Sequence, residues 1–169
     1  FLTIFSIIFI SINSFAQKEK TFPIENDTIN LYAFIGRKIS VEEFDPNENT
    51  KEALLNPTKI NDTIKMTYVM DNAFNAKYEV IKNVFNKIDS DTISFVAYDH
   101  YGRPGFKNYD VILIYVSYNK EDRRFFHQKY QFDALKKSKD GNWNGLEGET
   151  IEELFEKKKN EVFTARGIF

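Results

Sequence analysis

The chain has 169 residues, 42% of them hydrophobic and 16% aromatic, with 17 Phe, 9 Tyr and a formal net charge of -2. That composition suits one domain with a real core and excludes a body that stays disordered. It offers no basic field for nucleic acid, and the absence of cysteine excludes disulfides, thiol catalysis, Cys-ligated zinc and a lipidated leader cysteine.

Residues 1–12 form an almost unbroken apolar run, closed by Ser14, Phe15 and Ala16 before the polar Gln17, Lys18, Glu19 and Lys20. This is the apolar segment and small-residue cleavage site of a secretory signal peptide, with Ser14 and Ala16 at the two small positions. The run falls short of the roughly 20 residues of a spanning helix, so cleavage is expected rather than a retained anchor. A start at Phe1 reads as a truncated leader. Residues 1–16 are thus read as signal peptide, 17–30 as a linker and 31–169 as a single α+β domain, exported to the periplasm or the medium and free of the membrane after cleavage.

Residues 31–44 are extended: Leu31, Ala33 and Ile35 alternate with Tyr32 and Phe34, and Gly36 marks a bend or bulge. Residues 45–62 are a loop with Pro46 and Pro57 and one helical turn near 50–55. Residues 64–70 alternate as a half-buried strand. Phe74, Tyr78, Ile81, Phe85 and Ile88 then recur at helical spacing, which predicts a helix capped by Asp71 or Asn72. Strands follow at 92–98, 110–118 and 123–132, the second apolar on both faces and hence central. Residues 119–122 make a tight hairpin and 136–148 a polar loop. Thr150 and Glu153 form a capping-box pattern that opens a last helix, and Gly167 can close it.

Helix followed by three antiparallel strands, over residues 72–132, resembles the layout of cystatin-like and nuclear-transport-factor-like domains. The resemblance implies a curved antiparallel sheet packed on one main helix, a pocket at its open end and, here, an added C-terminal helix.

Chemistry-bearing residues concentrate in Tyr98, Asp99, His100, Tyr101, Gly102, Arg103 and Pro104. His100 could do acid/base work, Asp99 could orient it, and Arg103 could hold an anionic group. The simpler reading is an ordered turn in which Asp99 binds backbone amides and Gly102 takes a positive φ. His127, the other histidine, lies mid-strand. A metal site would need His100 and His127 to meet beside Asp99 or Asp133. No close histidine spacing, Gly-rich phosphate loop or nucleophile elbow points to a metal, a cofactor or serine chemistry. Trp143, in a polar Gly/Asn loop, is either a contact residue or a loop anchor.

The expectation is a non-catalytic exported domain that binds a protein or small ligand through residues such as Tyr98, Tyr101, His127 and Trp143, with neither nucleic acid nor a cofactor as partner. The alternatives are a small hydrolase or isomerase using His100, Asp99 and Arg103 at a pocket mouth, and a secreted inhibitor or immunity-type protein presenting residues 99–107.

Overall fold

The computed structural model describes residues 22–48, 51 and 68–169. The leader expected at 1–16, most of the helical turn near 50–55 and the first part of the strand expected at 64–70 lie outside the described residues. Tyr68, Val69 and Met70 belong to no strand.

Six strands carry the fold: β1 (Tyr32–Phe44), β2 (Asn72–Phe85), β3 (Thr92–Asp99), β4 (Val111–Asn119), β5 (Arg124–Lys137) and β6 (Trp143–Gly145). They form one sheet in the order β3-β2-β1-β4-β5-β6 with antiparallel neighbours. β3 also pairs with β5 in parallel, through Phe95 opposite Phe125 and Val96 opposite Phe126. This pairing closes β1 to β5 on themselves. The result is a five-stranded Greek-key barrel of the OB type, with β6 appended to β5.

The main helix expected over residues 74–88, and with it the cystatin-like or nuclear-transport-factor-like layout, is not there: strand β2 runs through that segment to Phe85, and no main helix packs on the sheet among the described residues. The physical reason lies in a coincidence of periods. Phe74 and Tyr78 are four apart, which suits a helix but is also twice the strand repeat. They point into the barrel with Ala76, while Ile81 and Phe85 serve the core on the other side of the sheet. A strand buried against two different cores can imitate the stripe of a helix.

Alternation, broken at a few register shifts, builds both cores. Phe34, Phe74, Tyr78, Ile93, Phe95, Ile112 and Ile114 fill the barrel, and Phe106 enters it from a 3-10 turn (Gly105–Asn108) between β3 and β4. Ala33, Ile35, Leu113 and Tyr115 face outward and are covered by α1 (Ile151–Lys158), a π-helical turn (Lys159–Phe163) and the segment around Phe22 and Ile24. Ile24 bridges Phe85 in parallel, and Phe85 stacks on Phe155 at 5.3 Å. The capping box of α1 is present in both directions. The chain is a small single domain without cysteine.

β5 is interrupted. Ile114 pairs with Phe132 and Val116 with His127, so one residue of β4 faces residues 128–131 of β5. The excess is pushed out of the barrel wall as a wide bulge, with Tyr130 at φ 68. A bulky residue in the left-handed region is strained unless its surroundings hold it there.

Candidate functional site

The β3 end and the β5 bulge meet at one rim of the barrel. Asp99 closes β3, and its carboxylate accepts the Tyr101 amide at 2.8 Å. Gly102 follows at φ 124, and Pro104 precedes the 3-10 turn. Residues 99–104 therefore form a turn whose amides are taken by side chains, Tyr101 by Asp99 and His100 by the Tyr130 hydroxyl.

His100 projects from this turn onto Asp71, with Nδ1 3.0 Å from Oδ1. The other Asp71 oxygen accepts from Lys129 Nζ at 2.5 Å. Lys129 lies on the bulge, so one carboxylate ties the start of β2 to both the β3 turn and β5. The Lys129 hydrogen bond, reinforced by His100, holds the Asp71 carboxyl below its usual range, and Asp71 in turn raises the Lys129 ammonium. The Tyr130 hydroxyl accepts from the His100 amide at 3.4 Å.

Around this polar knot sit large exposed side chains. Tyr101 is 87% exposed, Met70 79% and Tyr130 44%. The Tyr101 ring lies 5.3 Å from His100 and 6.1 Å from Tyr130. Two shallow concavities of about 500 Å3 each adjoin them. Both share Phe44, Asp45 and Pro46 as a wall; one reaches Met70 and Asp71, the other Tyr98, Phe126 and Arg124. Tyr98 stacks on Phe126 at 6.3 Å, with planes 11° apart, over the β3–β5 seam. His100 lines neither concavity.

The bulge is braced from behind. His127 Nε2 and the Gln131 carbonyl close its neck at 2.8 Å. Gln128 donates to Ser117 Oγ at 2.7 Å, and Arg166 donates to the Lys129 carbonyl at 3.1 Å. His127 packs against Phe106 at 4.8 Å and Phe95 at 6.2 Å. Burial lowers its imidazole to about 4, so it is neutral at pH 7.

Of the residues singled out in the sequence, the structure brings Asp99, His100 and Tyr101 to this rim and Tyr98 to the adjoining concavity. His127 lies behind it, among the aromatics of the barrel, and does not meet His100. Arg103 is exposed and takes no part. Trp143 lies on β6, half-buried against the outer core with Lys137 5.7 Å from its ring centre. No group of His, Asp or Glu able to hold a metal occurs among the described residues. No helix among them is long and apolar enough to cross a membrane.

Sequence reasoning missed Asp71, Lys129 and Arg166, and it read Tyr130 as one of an aromatic cluster more often core than contact surface, whereas it is 44% exposed. Asp71 reads as a helix cap, and nothing local links Arg166 to residues 37 and 38 positions away. The one usable signal is the polar Gln128, Lys129, Tyr130, Gln131 run, which breaks the alternation of β5 where it bulges.

No family model matches the chain, and no curated protein or solved structure does either.

Proposed function

We propose that this is a non-catalytic, exported binding module that engages a protein partner through the rim formed by Met70, His100, Tyr101 and Tyr130. The observation that carries the reading is Tyr130. Its backbone is held at φ 68 and its neighbours are braced by Ser117, Asp71 and Arg166, yet its side chain is left 44% exposed beside the exposed Tyr101. Tyrosines held rigidly at a surface contribute large contact area at low entropic cost, which is why they anchor interfaces. The adjoining concavities lie on β3, on the start of the β1–β2 connection and beside the β4–β5 turn, the side on which barrels of this type carry ligands. That last point is an analogy of architecture alone. Export rests on the apolar leader, and a partner other than nucleic acid on the net charge of -2.

The enzyme alternative would use His100, oriented by Asp71, as a base. It lacks a wall: neither concavity is lined by His100.

The test is site-specific photo-crosslinking in the producing cell. A crosslinker at Tyr101 should give a discrete adduct that Tyr130→Ala abolishes, while one at the exposed Lys77 gives none. Equal adducts from both positions, or an adduct indifferent to Tyr130, overturn the reading.

A further inference from the structure

A second surface, separate from the rim, surrounds Trp143. Two concavities of about 650 and 820 Å3 meet at its indole. The smaller carries Arg37, Lys38, Lys136 and Lys137 against a single carboxylate, Asp110. A local excess of positive charge in a chain of net charge -2 is a concentrated field, and a groove focuses it. Two of these cations are already engaged: Arg37 with Glu79 at 2.8 Å, and Lys38 with Asp110 at 3.5 Å. Lys136 and Lys137 have no carboxylate partner among the described residues. Lys136 donates to the Leu146 carbonyl, and Lys137 sits over the Trp143 ring.

The larger concavity is lined differently, by Asn142, Asn144 and Thr150, with Lys82, Asp140 and Glu152 at its walls, so the excess of positive charge belongs to the smaller one. Asn108 adds a further amide beside the lysines, and Tyr109 an exposed ring. Each amide side chain supplies both a donor and an acceptor, as a sugar hydroxyl requires. Flat rings, amides and point-like cations together match a polymer with ring faces, hydroxyls and spaced carboxylates.

Two rival occupants fit less well. Phosphodiesters favour free guanidinium forks, and the one arginine here is held by Glu79. An extended peptide would add to a free strand edge, and the outer side of β6 is taken where the Gly145 amide donates to the Glu149 carbonyl at 2.8 Å.

The geometry points to a binding groove for an acidic polysaccharide, with Lys136 and Lys137 holding carboxylates and Trp143 and Tyr109 meeting sugar rings. This goes beyond the rim and does not depend on it.

Trp143 is the only tryptophan of the chain, so its fluorescence reports on this groove alone. The full domain is titrated with oligogalacturonate, followed by fluorescence and calorimetry. A saturable change is expected, weakening as salt rises and absent with the methyl-esterified oligomer. The double variant Lys136→Gln, Lys137→Gln should weaken binding about tenfold. Asp110→Asn, which removes the one carboxylate of the smaller concavity while Lys38 keeps its bond to the Lys107 carbonyl at 2.9 Å, should tighten it, so the outcome does not hang on one variant's folding. Tyr130→Ala should leave it unchanged. No saturable binding, equal binding of the ester, tighter binding of polyglutamate or oligothymidylate, or affinity indifferent to both charge variants overturns the proposal.

Discussion

The Arg166 guanidinium, from the chain segment after α1, donates to the Lys129 carbonyl at 3.1 Å and to the Gln128 side chain at 3.2 Å. The C-terminal segment thus does two jobs. It covers the outer core through Leu154, Phe155 and Phe163, and it holds the bulge that presents Tyr130.

Arg166→Ala should separate these roles. Loss of two hydrogen bonds on an exposed guanidinium should cost at most about 1 kcal/mol of stability. Amides of residues 128–131 should exchange faster, and the crosslinked adduct from Tyr101 should fall. Unchanged exchange would assign the bulge conformation to Ser117 and Asp71 alone.

His127 makes stability depend on pH. Its folded value is about 4, against about 6.5 for an unfolded histidine. Between these values the unfolded chain takes up a proton that the folded chain refuses. The contribution is therefore complete above about pH 6.5 and lost as pH falls toward 4, by up to about 3 kcal/mol. Denaturant unfolding at pH 7 and pH 5 measures it. His127→Gln should flatten the difference; a slope that survives would place acid sensitivity on the carboxylates.

Among the described residues, the one buried side-chain polar atom with no hydrogen-bond partner is the Tyr78 hydroxyl, in the barrel interior. Burial raises its pKa, so it stays neutral and simply unsatisfied. Tyr78→Phe should stabilise the domain by about 1 kcal/mol, read as a higher midpoint in urea. Gly36 lies beside it at a register shift of β1. A Cβ there would stand 2.8 Å from Phe34 Cε2 and 3.1 Å from Tyr78 Cδ1. Gly36→Ala should therefore destabilise by about 1–3 kcal/mol. Equal stability of both variants with the parent would mean that the interior is looser than this packing.

Thr150 caps α1, accepting the Glu153 amide at 3.2 Å while its own amide donates to Glu153 Oε2 at 2.8 Å. Thr150→Ala should cost about 1 kcal/mol and Thr150→Ser much less. Thermal unfolding of the two variants distinguishes a cap from a bystander.

Much of the strand pattern was legible in the residues. Alternation placed β1, β3 and β4 closely, and the two apolar faces of β4 reflect its place between the barrel and the outer core. Gly36 marked a true irregularity, and Thr150 with Glu153 a true helix start. What failed was β2, where Phe74 and Tyr78 serve one face of a strand and Ile81 and Phe85 the other, yet all four also fall on one helical stripe, so only the tertiary partners decide. β6 was hidden because Trp143, Asn144 and Gly145 are too few to show alternation. Closure of the barrel was invisible for a different reason: it depends on residues near 95 finding residues near 125, in parallel, with no local sign. The rim was half legible. Asp99, His100 and Tyr101 announced themselves by type, whereas Asp71 and Lys129 acquire meaning only from each other.

The parallel seam between β3 and β5 rests on two residue pairs, against the long ladders on every other side of the barrel. A closed wall offers incoming chains no row of unpaired backbone groups, which guards an all-β fold against fibrous self-association. That protection is only as durable as its shortest join. Breathing at Phe95 and Val96 would expose fresh edges on both β3 and β5, so conditions that loosen this seam are those under which concentrated protein should begin to stack.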